Sequence, residues 1–176
     1  ISNSISYEYT PTTYTYNNGW SPSGDPTGIA MLCDNIIIAA GNVTIANNTN
    51  FNTLTVAPGA SLTVAAGVTI TSSASITLES TSTNYSSLLL NGTIDGTVHY
   101  NRFVNSYTND ATNNDNDLVS APLTGETFGS FAAANANLLA SGSLRAFAPF
   151  DKTTGSYTNY DTAINSGSNI AAGTGY

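Results

Sequence analysis

The stretch NTLTVAPGASLTVAAGVTIT, residues 52–71, says nearly the same thing three times. Leu54-Thr-Val, Leu62-Thr-Val and Val68-Thr-Ile each alternate apolar and hydroxyl residues, and Pro58-Gly59 and Gly67 stand between them. Period-two alternation rich in β-branched residues, punctuated by Gly and Pro, predicts short strands. The starts at Leu54, Leu62 and Val68 are eight and six residues apart. Tight hairpins join strands by about two residues, so these longer small-polar links suit a coil of three short strands per turn better.

Ile76-Thr-Leu begins 22 residues after Leu54, which is a plausible single rung. The arithmetic sets Leu54 and Val56 over Ile76 and Leu78, with Ile36 and Ile38 one rung earlier. Leu62 and Val64 should lie between Val43/Ile45 and Leu88/Leu90, and Val68 and Ile70 should approach Thr93 and Ile94. Thr53, Thr55, Ser61, Thr63, Thr69, Thr71, Ser75 and Thr77 would then face outward, supporting the strands without adding charge. Rows of Thr on a flat solenoid also suggest an ice-binding face, but here Ser and Ala interrupt them.

The predicted class is all-β: a short right-handed parallel β-helix followed by a partial antiparallel β-sandwich-like module. Residues 1–20, with four Tyr, Trp20 and the Asn18-Gly19 turn, read as an N-terminal cap, which a solenoid needs because its end rung exposes backbone and apolar side chains. Residues 21–104 read as the solenoid. Residues 105–176, with longer spacing and more aromatics, read as the second, incomplete module. The one helical pattern is 127–142, with Phe128, Phe131, Leu138 and Leu139 on a shared face and Gly142 as its stop.

Composition narrows the function. Charged residues make up only 8% of the chain, against about a quarter in an average protein. The net charge is -8 and the only cations are Arg102, Arg145 and Lys152, which argues against nucleic acid and against an anionic membrane surface. No apolar run approaches the roughly 18 residues of a membrane-spanning helix. A Lys-poor surface rich in Asn, Thr, Ser and Tyr points to an extracellular setting. Cys33, the single cysteine, sits in MLCDNIII and is expected to be a small buried hydrophobe.

Candidate chemistry is sparse. Asp110, Asn113, Asn114, Asp115, Asn116 and Asp117 form the densest oxygen-ligand cluster, and calcium is the cation such ligands would suit. The cluster lacks the Gly and closing Glu of an EF-hand, and Asx-rich runs also make ordinary turns. One His and one Cys cannot assemble a zinc site. His99 alternates with Val98 and Tyr100 and is expected to point outward or towards a cap; it is the only imidazole base available, and no G-x-S-x-G elbow occurs. Asp34, Glu79 and Asp95 are the carboxylates in or beside the repeat, yet no Arg or Lys precedes Arg102, which argues against polysaccharide lyase chemistry. Tyr7, Tyr9, Tyr14, Tyr16 and Trp20, with Tyr157 and Tyr160 later, could stack on sugar rings; the competing reading is that they pack caps and sheet faces.

The motifs W-x-x-x-G-x-P from Trp20, DNIIIAAGNVTI from Asp34, the stretch above, and LLLNGTIDGTVHYNRF from Leu88 together resemble the repeat region of Bacteroidota surface and secreted proteins exported by type IX secretion. DLVSAPLTGETFGSF, RAFAPFDKTTGSYTNYDT and IAAGTGY are similar to a module that often follows it. The resemblance implies a piece of a longer protein whose sorting domain, absent here, engages the export machinery. It also implies O-glycosylation at Thr162, within Asp161-Thr162-Ala163, and it supplies no catalytic residue. The expected function is a non-catalytic stalk or adhesive segment with a glycan as ligand. The alternative is a carbohydrate-active enzyme or its accessory carbohydrate-binding domain, with Asp34, Glu79 or Asp95 for acid/base work.

Overall fold

A computed structural model describes residues 8–105 and 117–176. The chain divides into two compact units, Ile1–Phe103 and Val104–Tyr176. The described residues are mostly β, with one short helix, and the first unit is a solenoid-like stack of about four turns.

The stack is built from β1 (Thr13–Asn17), β2 (Trp20–Ser21), β3 (Asn35–Ala40), β4 (Asn42–Ile45), β5 (Thr49–Val56), β6 (Ser61–Val64), β7 (Thr69–Leu78), β8 (Ser87–Leu90) and β9 (Thr93–Tyr100). One sheet runs β2-β1-β3-β5-β7-β9 and the other β4-β6-β8, and every pairing except β1 with β2 is parallel. The register is the one expected for Ile36, Leu54 and Ile76 and for Ile38, Val56 and Leu78, and Val98 and Tyr100 continue the two columns; only the later rungs keep the 22-residue spacing, since Ile36 and Leu54 are 18 residues apart. On the other sheet Val43, Leu62 and Leu88 align, and Ile45, Val64 and Leu90. Leu54, Leu62 and Ile76 are fully buried, each contributing up to roughly 1.5–3 kcal/mol through removal from water.

The expected three separate strands per turn are corrected. Val68-Thr-Ile and Ile76-Thr-Leu are not separate strands: Thr69 to Leu78 is one strand, β7, whose register slips against β9 between Thr71 and Ser75. β5 makes the same bend between Phe51 and Thr53. Small hydroxyl side chains bind the bend: Ser72 Oγ donates to the Asn52 carbonyl (2.8 Å), and the exposed Ser73 hydroxyl, with one proton to give, lies within reach of the Leu32 carbonyl (2.6 Å) and Asn52 Oδ1 (3.1 Å). A corner made this way needs neither Gly nor Pro in β7, so the sequence carries no punctuation there.

At the N-terminal side β2 folds back on β1 through Asn18 and Gly19, with Asn18 at φ 55°. At the other side neither β8 nor β9 has a further strand partner among the described residues. The buried-Cys33 expectation is also corrected, since the thiol is exposed. In the link 30–34 it is Ala30 and Asp34 that turn inward, while Met31 and Leu32 lie outside with Cys33.

The second unit contains α1 (Phe128–Ala134) and four two-residue strands, β10 (Ala140–Ser141), β11 (Leu144–Arg145), β12 (Phe150–Asp151) and β13 (Ser156–Tyr157), paired β10 with β11 and β12 with β13. Its core is aromatic: Phe147 stacks on Tyr176 at 4.6 Å and on Phe128 at 5.8 Å, and Tyr160 meets Phe128 edge-on at 5.0 Å. The helix is shorter than the predicted 127–142. Thr127 caps its start, its hydroxyl accepting from Ser130 N, and Asn135 ends it by donating both its backbone N–H and its Nδ2 to the Phe131 carbonyl. Side-chain competition of this kind is why Asn disfavours helix interiors. Leu138 and Leu139 fall beyond that stop, and Leu139 is exposed. No helix among the described residues is long and apolar enough to cross a membrane.

Candidate functional site

Asp34 is the most enclosed carboxylate of the first unit, with none of its surface exposed. It stands at the entrance to β3, where the preceding link folds its backbone towards the carboxylate. Met31 N donates to Oδ2 at 2.8 Å and Thr12 N to Oδ1 at 2.7 Å, and the Tyr9 hydroxyl reaches both oxygens. Burial pushes this carboxyl's pKa upward, but the bonds from Thr12, Met31 and Tyr9 together outweigh it and hold the group below its ordinary value. The same pairing raises the Tyr9 phenol, chiefly through its bond to the Asp34 carboxylate. A carboxylate so engaged is a structural clasp.

The other repeat carboxylates lie elsewhere. Glu79 follows β7 and accepts from Asn101 Nδ2 at 3.1 Å, while Asp95 and His99 are exposed on β9. Among the described residues no three His, Cys, Asp or Glu side chains come together as a metal site would require. Of the calcium candidates only Asp117 lies in the described residues, where its carboxylate accepts from the backbone and side chain of Asn105. Asp110, Asn113, Asn114, Asp115 and Asn116 fall outside them, as does Tyr7.

The aromatic candidates do not form one platform. Tyr14, Tyr16 and Trp20 are partly buried against the solenoid core, with Tyr16 and Trp20 edge-to-face at 5.1 Å. Tyr9 is about half exposed, with its hydroxyl committed to Asp34. In the second unit Tyr160 belongs to the aromatic core, whereas Tyr157 is exposed and leans on Phe150 at 5.1 Å.

The second unit also holds a cleft that none of these motifs announced. It has a volume of about 270 Å³ and is lined by Gly129, Ala132 and Ala133 of α1, by Arg145 of β11, and by Thr162 and Ser166. Gly129 N bonds the Ser166 carbonyl at 2.9 Å, which fixes one wall. Arg145 N bonds the Tyr160 carbonyl at 2.9 Å and Thr162 N the Ser143 carbonyl at 2.9 Å, which fixes the other. The Arg145 guanidinium spends Nη1 on the carbonyls of Gly142 (2.9 Å) and Leu144 (3.1 Å). The adjacent Asp161 carboxylate instead accepts from Ala163 N at 2.7 Å, within its own turn. Thr162, the glycosylation candidate, is half-buried and donates its hydroxyl to the Ser143 carbonyl at 3.1 Å. The sequence offered one cue to this cleft: Arg145 is one of three cations in a chain of net charge -8.

Comparison with protein-family models, curated proteins and solved structures finds no match to this chain.

Proposed function

We propose that the chain is a non-catalytic, extracellular stalk or adhesive segment of a bacterial surface protein exported by type IX secretion. In this reading a right-handed solenoid is joined to part of a β-sandwich-like module, and a glycan is the ligand class. The observation that carries the proposal is the in-register parallel stack, whose inward positions are apolar ladders and whose outward positions are mostly Thr, Ser and Asn. Such a body gains stiffness from repeated backbone pairing between neighbouring turns. It also presents neutral hydroxyls and amides rather than charge to its surroundings. The engagement of Asp34 by Tyr9, Thr12 and Met31 supports a non-catalytic role, because that carboxylate is committed to holding the fold.

The test incubates the full chain with plant and algal polysaccharides, reading reducing ends and unsaturated products, and applies it in parallel to a glycan array. No turnover is expected. Turnover that disappears in Glu79→Gln or Asp95→Asn would overturn the reading in favour of a carbohydrate-active enzyme. Surface placement is tested by antibody labelling of intact producing cells, which should vanish when type IX export is disabled.

A further inference from the structure

We infer that the cleft between α1 and the 160–166 segment is a binding site for the carboxylate of an acidic sugar, with Arg145 as its anchor. The inference rests on the glycan-contact reading above and names the class of glycan.

The first argument is the state of the guanidinium. Arginine carries five N–H donors in a planar fork. In Arg145 the bonds to Gly142 and Leu144 occupy Nη1, so these carbonyls fix the plane of the group. Its Nε and Nη2 have no protein acceptor among the described residues, and since no buried side-chain polar atom among them lacks a partner, these nitrogens are reached by solvent; the residue itself lines the cleft. Two parallel N–H donors held in a fixed plane match the two oxygens of a carboxylate.

The second argument is what surrounds it. Thr162 and Ser166, both hydroxyl residues, line the same cleft. The Thr162 hydroxyl hydrogen is directed to the Ser143 carbonyl, which leaves its oxygen able to accept from a sugar hydroxyl. Ala132 and Ala133 supply a small apolar wall. Gly129 lets α1 pack closely on Ser166, since a Cβ there would stand 2.2 Å from Ser166 Oγ and 2.8 Å from the Ser166 carbonyl oxygen, so this side of the cleft is a tight wall. At about 270 Å³ the cleft is shallow and open to solvent and falls just under the roughly 300–1,000 Å³ of small-molecule sites, so it has room for at most one sugar ring, partly exposed.

The charge of the chain works against an anionic ligand rather than for it. A chain with eleven acidic and three basic residues repels anions in general. Retention of an acidic sugar therefore depends on one directed contact, and binding should weaken sharply when that contact is altered.

The experiment titrates the full chain with D-glucuronate, D-glucose, acetate and sulfate, followed by calorimetry and by amide shifts in ¹⁵N-labelled protein. Glucuronate should saturate at millimolar concentration and shift Gly129, Arg145 and Ser166. Glucose, acetate and sulfate should each bind at least about tenfold more weakly, since each lacks either the paired oxygens on a ring or the ring itself. Arg145→Lys keeps the charge but loses the fork, and should weaken glucuronate roughly tenfold. Ala133→Glu, at an exposed position on α1, should abolish binding while the circular dichroism spectrum stays unchanged, and Ala133→Gln should retain it. Glucose binding as well as glucuronate, unaffected by Arg145→Lys, would overturn the acidic-sugar inference yet leave the glycan reading standing. Acetate or sulfate matching glucuronate would reduce the cleft to a simple anion site and overturn it. No glucuronate binding would also overturn it, and an array silent for every glycan would remove the broader reading as well.

Discussion

The Tyr9 hydroxyl lies 2.9 Å from Oδ1 and 2.8 Å from Oδ2 of Asp34, a residue 25 positions further along the chain. With Thr12 N and Met31 N on the same carboxylate, this contact fastens the segment leading into β1 to the link leading into β3. One side chain thereby closes the first turn of the stack.

Replacing Asp34 with Ala should destabilise the first unit by roughly 2–4 kcal/mol, because two backbone donors lose a buried charged acceptor. Asp34→Asn keeps one acceptor oxygen and should cost less. Tyr9→Phe leaves the backbone bonds intact and should cost least. Chemical denaturation of the three variants should give that order, and Asp34→Ala should also speed hydrogen exchange at Thr12.

The clasp responds to pH at both extremes. The folded Asp34 carboxyl titrates below its ordinary value of about 4. Its stabilising contribution is therefore complete above about pH 4 and is lost as pH falls through the depressed folded value. The Tyr9 phenol titrates above its ordinary value of about 10. Its contribution is complete below about pH 10 and is lost as pH rises through the elevated folded value. Thermal scans from pH 2 to 11 should show both limbs, with the alkaline one reduced in Tyr9→Phe and the acid one reduced in Asp34→Asn.

The apolar ladders should lose stability unequally. Leu54 is fully buried between Ile36 and Ile76, so Leu54→Ala should cost about 2–5 kcal/mol. Ile94, paired with Ile70 on the last rung, is only partly buried, and Ile94→Ala should fall below that range. Urea midpoints at unchanged m-value would measure the difference.

Gly92, between β8 and β9, lies so close to the preceding rung that a Cβ would stand 2.3 Å from the Val68 carbonyl oxygen and 2.5 Å from that of Ala65. Gly92→Ala should therefore push the last rung outward at a cost of about 1–3 kcal/mol, the usual range for overpacking. The loss should appear as a lowered unfolding midpoint and as faster amide exchange at Thr93, whose N–H bonds the Val68 carbonyl at 2.8 Å.

Cys33, exposed beside Met31 and Leu32, should react with a maleimide at full stoichiometry in the native protein. A thiol that reacts only in denaturant would contradict its placement outside the stack.

The rungs could be read from sequence because their register depends on a simple regularity. A period of two decides which side chains enter the core, and a one-residue slip would turn the whole set outward. The alignment of Leu54 with Ile76 follows directly from that constraint. The corner at Ser72–Ala74 could not be read, because small polar residues bend a strand through contacts with Asn52 and Leu32 that are distant in sequence. Cys33 misled for a related reason. Its neighbours are apolar, yet the link turns towards the core whichever residue can satisfy the Thr12 and Met31 amides, and that residue is Asp34. The Arg145 cleft depends on contacts between α1, β11 and the 160–166 segment, none of which leaves a local motif.

The uneven cover of the rungs gives the first unit a direction of failure. Leu62, Ile70 and Ile76 are sealed at 0% exposure, whereas Leu88, Ile94 and Val98, one rung later, are only partly buried. The chain leaves the unit at Phe103, just after that thinly covered rung. Tension arriving along the polypeptide from Val104 would reach β9 before β7. Because tension loads both ends of the unit alike, the thinly covered rung at β9 and the segment held by the Asp34 clasp would share the pull, and the rung with less apolar surface sealed from water is the one expected to open first.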